Sequence, residues 1–295
     1  MPANVMALVT GAAGVCRIVA ERSWPGPRRN RVWEVEAGTA GYGVRLIVKQ
    51  HATTGAFQRE AAAYQSITPA LGNDRTADLV AVDETARALV LTRIPGTPVS
   101  CLRLDADAMT EVYRQAGTLL AALHAHPAPA PAAGRVTWQD ELAQVTEELT
   151  ALPDETATML KDLLHSGPPP RLSLITAHGD WMPRNWLWDD HRLRIIDFED
   201  TGSSPADRTD LARLGYRVLR GHPDLDAAFR QGFGRAFTPA EHKAMRLSAA
   251  LDALRALRWG RIHGDESTLT EAHTMLDHLH ADQYQPWNTA TRSAA

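Results

Sequence analysis

Residues 176–200 read TAHGDWMPRNWLWDDHRLRIIDFED, and the fold turns on how they are read. Asp180 closes a His-Gly-Asp, Asn185 stands five residues further on, and Asp197 ends the apolar run LRII. Polar groups at the edge of apolar runs are costly to bury unless something binds them. Transfer of a phosphoryl group from a nucleotide would use such a set, because it needs positioning and charge neutralisation more than covalent chemistry. One carboxylate must stand beside the attacking hydroxyl, and hard oxygen ligands must hold Mg²⁺ near the phosphates. A loop followed by a strand-edge carboxylate supplies both from one short piece of chain. On this reading Asp180 faces the acceptor hydroxyl, while Asn185 and Asp197 hold the metal.

The interval between Asp180 and Asn185 is that of the protein-kinase catalytic loop, which is also followed by an Asp-Phe after a short hairpin. Here WLWDDHRLRII is the hairpin and Asp197-Phe198 the dipeptide. Taken singly, each of these residues suits an ordinary turn. A hydrolytic metal site built from His178, Asp180, His191 and Asp197 is the competing assembly. It leaves Asn185 and an upstream lysine without a role.

HGDWMPRN also fits the pattern His-Gly-Asp-x-x-Pro-x-Asn of the aminoglycoside phosphotransferase and choline kinase-like enzymes. RIIDFED resembles their Ile-Asp-Phe/Trp-Glu element. TDLARL (209–214) is similar to the Asp-Leu-Ala segment that follows it, and LAALHAHP (120–127) to their Leu-x-x-Leu-His segment. The resemblance spans most of residues 44–214. It implies an α+β, protein-kinase-like bilobal fold, with a β-rich N-terminal lobe, a mainly helical C-terminal lobe and nucleotide bound between them. It also implies that Asp180 is the catalytic carboxylate, that Asn185 and Asp197 are the Mg²⁺ ligands, that His178 orients the loop and that Asp210 anchors it from below. Asp180 then orients the hydroxyl and accepts its proton late, since an alcohol is too weak an acid for early deprotonation by an ordinary carboxylate.

The rest of the chain fits two lobes. VWEVEA (32–37) and VRLIVKQ (44–50) read as strands joined by the turn GTAGYG. GAFQREAAAYQSI (55–67) reads as a helix, with Phe57, Ala61 and Tyr64 at helical spacing. DLVAVD (78–83) and ALVLTRI (88–94) make a second strand pair. IPGTPV (94–99) then breaks the pattern, so residues 1–95 form the N-terminal lobe, the hinge lies near 92–98, and 96–295 form the C-terminal lobe. An amphipathic helix is expected over 105–126. A Pro/Ala spacer at 127–134 precedes an acidic helical segment at 138–152. Thr238, Pro239 and Glu241 form a capping box for a helix running to about Gly260. The apolar start, MPANVMALVTGAAGVC, reads as a short helix or a loosely held terminus, and the last residues as disordered.

A kinase-like lobe needs a strand lysine for the α/β-phosphates and a helical glutamate to pair with it. Lys49 ends VRLIVK, and Glu60 in the next helix is its expected partner. By strand alternation Lys49 shares a face with Ile47, which the resemblance sets against the adenine. Arg93 and Ile94, in TRIPG, are expected to donate backbone hydrogen bonds to the base, which leaves both ATP and GTP open. No GxGxxG and no GxxxxGK[ST] occurs, which disfavours a P-loop enzyme. The covering loop falls at SWPGPRRNRV (23–32), where Arg28, Arg29 and Arg31 read as a basic, solvated turn. Glu199 replaces the glycine of the protein-kinase triplet, as in the small-molecule branch. No activation loop precedes Asp210.

Composition narrows the partners. A net charge of −4 without a dense basic block gives no reason to expect a nucleic-acid binder. No span suits a membrane. Two cysteines, Cys16 and Cys101, make neither a disulfide framework nor a cysteine zinc site, so a cytoplasmic setting is expected. Residues 204–295 hold eleven acidic against twelve basic residues, which does not call for a polycationic acceptor. Residues 135–165 hold seven acids against two bases and read as a solvated helix face. Trp259 and His263, on RWGRIHG, are candidates to line the acceptor cleft, with burial of Trp259 in the helical core the preferred reading. The expected activity is therefore Mg²⁺-dependent transfer from ATP or GTP to a hydroxyl of a small molecule, foremost an antibiotic-like natural product. A metabolite kinase for an amino alcohol or sugar, and a silent kinase-like binding module, are the alternatives.

Overall fold

The computed structural model of the chain describes residues 1–23, 30–38, 43–130, 137–205 and 209–284. Most of the turn at 38–43 and of the loop at 23–32, part of the spacer at 127–134 and the C-terminal end lie outside the described residues. In chain order the elements begin with helix α1 (Ala3–Ala13), strands β1 (Cys16–Glu21), β2 (Arg31–Ala37) and β3 (Val44–Gln50), and helix α2 (Thr54–Ser66). Strands β4 (Leu79–Asp83), β5 (Ala88–Thr92) and β6 (Thr97–Pro98) precede helices α3 (Ala106–Ala125), α4 (Trp138–Ala143), α5 (Thr146–Thr150) and α6 (Asp154–His165). Next come strands β7 (Leu174–Ala177), β8 (Trp186–Trp188), β9 (Leu193–Ile195) and β10 (Gly202–Pro205). Helices α7 (Asp210–Arg217), α8 (Pro223–Phe233), α9 (Pro239–His263) and α10 (Glu266–Tyr284) complete the described chain. The fold is α+β.

Two compact units form: Met1–Arg103 with Pro183–Thr201, and Leu104–Met182 with Gly202–Ala295. The division drawn from the sequence cuts the chain once, whereas Pro183–Thr201 packs here with the N-terminal unit. The reason lies in its backbone pairing. Strand β8 takes β6 on one side and β9 on the other, and Ile195 donates its N–H to the Arg75 carbonyl at 2.8 Å. Gly96, at φ 117°, lies so close to this hairpin that a Cβ there would stand 3.0 Å from that of Leu187.

The first unit is built on an antiparallel sheet of order β1-β2-β3-β5-β4. Alternation along the strands sends Trp33, Val35, Leu46, Val48, Ala88 and Val90 to one face, where Val5 and Val9 of α1 complete a core. The apolar N-terminus is thus a docked helix. The opposite face carries Ile47 and Lys49, with Ile47 paired across to Glu34 on β2 and Leu91 on β5. Strand β1 gives no alternation to read, because it is a mostly exposed edge whose register shifts between Ile18 and Ala20. Helix α2 starts where the Thr53 hydroxyl accepts from the Ala56 N–H at 3.2 Å.

The second unit is mainly helical. The acidic segment forms two short helices, α4 and α5, instead of one, because Val145 leaves helical geometry (φ −115°, ψ 5°) to bury its side chain. Helix α9 opens on the expected capping box and runs three residues past Gly260, to His263, where Gly264 turns left-handed at φ 62°. It is buried along most of its length, through Ala244, Leu247, Leu251, Leu254 and Leu257. Helices α3 and α8 touch backbone to backbone. A Cβ on Gly117 would stand 2.0 Å from the Phe229 carbonyl oxygen, and one on Gly232 would stand 1.8 Å from that of Arg114.

Gly232→Ala should therefore force α3 and α8 apart. The expected loss is about 2 kcal/mol, in the range for overpacked cores, read as a lowered urea midpoint. An unchanged midpoint would show that the two glycines do not set this crossing.

Candidate active site

Lys49 is a buried cation at the centre of the first unit's polar cluster. Its Nζ stands 2.7 Å from Glu60 of α2, 2.5 Å from Asp197 and 3.1 Å from Glu199. Burial alone would lower the Lys49 pKa, but these three carboxylates together raise it well above the ordinary lysine value. Glu60 is itself buried. It accepts from the Phe198 N–H at 3.3 Å and lies 2.5 Å from Nε2 of His51. Burial would raise its pKa, yet Lys49 and His51 hold it well below the ordinary carboxylate value. Glu199 goes the other way: burial and the like charges of Asp197 and Glu60 raise it despite Lys49. The Asn30 amide donates to Glu199, and Nε of Arg59 donates to the Glu199 carbonyl at 2.7 Å.

The segment that bears these carboxylates is held from several sides. Asp197 has φ 70°, a left-handed conformation that a non-glycine residue adopts at some cost. Phe198 beside it is fully buried and meets the Tyr64 ring edge to face at 5.4 Å. Asn185, also buried, accepts through its backbone carbonyl from the Ile196 N–H at 3.1 Å. Hydrogen bonding thus ties the Asn185 backbone next to the Asp197 strand. Asp197, Glu199 and Asn185 carry oxygen donors, the chemistry that suits Mg²⁺ rather than zinc or copper, while the His, Cys, Asp and Glu ligand atoms that converge among the described residues are those of His51, Glu60 and Glu199.

Other expected residues of this unit stand as follows. Ile47 is half-buried on the Lys49 face. Arg93 departs from expectation: its N–H donates to the Arg45 carbonyl at 3.1 Å, so this donor is used within the sheet. Its side chain instead reaches buried Glu34, at 3.1 Å, together with Arg22 and Arg45. Ile94 is half-buried. The loop residues Arg28 and Arg29 lie outside the described residues.

In the second unit, residues 178–182 form a tight loop after β7. His178 is fully buried, and Gly179 has φ 88°. The N–H groups of His178 and Gly179 donate to the two carboxylate oxygens of Asp210, at 2.9 and 2.8 Å. His124, from α3, lies 3.2 Å from the same carboxylate. Burial would raise the Asp210 pKa, but the His124 hydrogen bond and the loop donors bring it below the ordinary value. The Asp180 carboxylate meets Arg213 of α7 at 3.1 Å. Arg213 and Arg217 both bind Asp252 of α9, at 2.9 and 2.8 Å.

Several of these residues went unread in the sequence. Arg213 lies three positions past Asp210, on a shared helical face. His51 lies two positions past Lys49, on a shared strand face. Both spacings were available as signals. Trp259 is not in the core: it is 45% exposed, with its ring stacked on His263 at 3.7 Å. Two acids of the 135–165 segment, Glu141 and Glu148, face Arg255 and Arg258 of α9 at 3.8 and 3.7 Å.

A sequence model described as the APH phosphotransferase enzyme family matches residues 24–247. The chain belongs to this family. Comparison with curated proteins finds no match. Among solved structures, this phosphotransferase is similar to the GDP and kanamycin complex of APH(2")-IIia, at 15% identity and TM-score 0.65, over 95% of this chain and 99% of that one. It is similar to a choline/ethanolamine kinase family protein from Mesorhizobium loti, at 18% identity and TM-score 0.61, over 96% and 94%. It is also similar to the macrolide 2'-phosphotransferase MphH from Brachybacterium faecium, at 19% and 0.57, over 94% and 98%. At these identities the likeness establishes the protein-kinase-like fold.

Asp252 supplies a pH prediction for the phosphotransferase. Burial would raise its pKa, but Arg213 and Arg217 lower it to about 2. A depressed carboxylate stabilises the folded state above its unfolded pKa, and that contribution fades as pH falls through the folded value. Asp252 should thus contribute about 2 kcal/mol at neutral pH, lost between about pH 4 and pH 2. Urea melts should show Asp252→Asn weakened at neutral pH and the gap to wild type closing over that interval. A gap independent of pH would overturn the assignment.

Proposed function

We propose that this phosphotransferase moves the γ-phosphoryl group of ATP, or GTP, to a hydroxyl of a small molecule. The observation that carries the reading is the cluster of Lys49, Glu60 and Asp197, which brings a strand, a helix and the segment after β9 onto one buried ammonium. In the proposed roles Lys49 contacts the α/β-phosphates and Glu60 holds it in place. Ile47 lies against the base, and Ile94 offers it backbone contacts. Asn185 and Asp197 are the proposed Mg²⁺ ligands, with Glu199 adjoining them; bound there, the ion would offset phosphate charge. Asp180 orients the acceptor hydroxyl and takes its proton late. The new bond joins the acceptor oxygen to the γ-phosphorus, and the bond to the β-phosphate oxygen breaks to leave a nucleoside diphosphate.

The proposed acceptor is an antibiotic-like natural product that is not a polycation. The pairing of Glu141 and Glu148 with Arg255 and Arg258 supports this, since it neutralises acids that a polycation would need. An amino alcohol or sugar is the second candidate. A silent binding module is disfavoured, because binding alone does not require Lys49, Asp180, Asn185 and Asp197 as a set. Free Cys16 and Cys101 support a cytoplasmic setting, and no helix among the described residues is long and apolar enough to cross a membrane.

A screen of hydroxylated natural products, amino alcohols and sugars with Mg·ATP, read as the mass gain of one phosphate, tests the reading. Asp180→Asn should lower transfer by about a thousandfold or more while nucleotide binding survives. Asp197→Ala should instead weaken metal-dependent nucleotide binding, read by calorimetry with and without Mg²⁺. Normal transfer by Asp180→Asn would refute its role.

A further inference from the structure

Arg213 is tied to the loop and to the helical core at once. From α7 its Nη1 donates to Oδ1 of Asp180 at 3.1 Å and to the Gly179 carbonyl at 3.3 Å. Its Nε and Nη2 donate to the two oxygens of Asp252, at 3.3 and 2.9 Å. The guanidinium is thus gripped as a planar fork on one edge and reaches the loop with the other. Asp252 is held a second time by Arg217, which in turn pairs with Glu271 of α10. Charges alternate along this row: Asp180, Arg213, Asp252, Arg217, Glu271. Burial would lower the Arg213 pKa, but Asp252 and Asp180 outweigh it and keep the group cationic.

We infer that Arg213 is the positioning residue of Asp180: held by Asp252, it fixes the direction of the carboxylate that receives the acceptor hydroxyl. The inference rests on the role proposed for Asp180 above. Neutralising Asp252 does not by itself require Arg213, because Arg217 already contacts it at 2.8 Å. What Arg213 adds is a contact to the loop backbone and to the Asp180 side chain together. The Asp210 contacts set the loop's backbone, and the Arg213 contact sets the direction of one side chain. Lysine is a poor replacement, since its ammonium is a point donor on a shorter stem and lacks the planar fork that grips both Asp252 oxygens while reaching Asp180 and the Gly179 carbonyl.

The test is ADP release from saturating Mg·ATP, with erythromycin, choline, glucose and water as acceptors. Water is the fallback acceptor, read as ATP hydrolysis. Arg213→Lys, which keeps the charge, should keep the wild-type circular dichroism yet lower kcat about tenfold, with the KM for ATP within about twofold of wild type. Arg213→Ala should lower kcat about a hundredfold, and added ethylguanidinium should restore part of the loss. If the alanine variant does not fold, the lysine variant decides. Wild-type kcat in a folded Arg213→Lys overturns the inference, and so does a loss that appears in KM alone. Asp180→Asn separates the two claims. If it transfers normally, the role of Asp180 falls and the inference with it; if it is inactive while Arg213→Lys is normal, only the inference falls.

Discussion

A lysine ammonium withdrawn from water must be met by carboxylates, and the first unit is organised around that requirement. Lys49 sits on a strand whose alternate residues, Leu46 and Val48, are committed to the core under α1. The register that buries those two leaves Lys49 no choice of face. Glu60 reaches it from α2, while Asp197 and Glu199 reach it from a segment far along the chain. Removing Lys49 would leave three carboxylates facing one another without their cation, and unpaired buried charge is among the most expensive defects a protein can hold. The same cluster that stabilises the unit is the one proposed to receive phosphate and metal, so stability and chemistry share residues here.

The second unit solves a related problem with the opposite sign. Asp210 is a buried carboxylate, compensated by two backbone N–H groups and His124. These donors fix the peptide planes of 178–180, which places Asp180 on a backbone with little freedom. Helix α3 can bring His124 to this point because its glycine contact with α8 sets its position. Packing, polar satisfaction and loop geometry are therefore links of one argument, running from Gly117 to the Asp180 backbone.

Much of this was legible in the sequence, and what was not has physical reasons. The interval between Asn185 and Asp197 could be read because a hairpin is local, so chain distance stands for spatial distance, and the Ile196 N–H does meet the Asn185 carbonyl. The pairing of Lys49 with Glu60 followed from a strand and the next helix. Arg213 stayed unread, since an arginine on a helix is solvated by default and only the folded chain brings Asp252 beside it. Strand β1 lacks alternation because neither of its faces is properly buried. Val145 shows the limit of periodicity: one apolar residue seeking the core interrupts an otherwise helical run. Trp259 shows that large aromatic side chains need not be buried. The N–H of Arg93 was expected for the base, but strand pairing took it first.

The discontinuity of the first unit has a consequence during synthesis. Lys49 and Asp197 are 148 positions apart, and the whole of α3 to α6 lies between them. A ribosome must therefore release four of the second unit's helices, α3 to α6, before the first can complete its charge cluster. Until then Glu60 alone among the carboxylates can answer the Lys49 ammonium, and the pairing that β8 and β9 later give to β6 and to the Arg75 carbonyl is missing. The emerging N-terminal sheet is for that interval an unfinished body with a costly interior charge, the kind of intermediate that chaperones exist to shield.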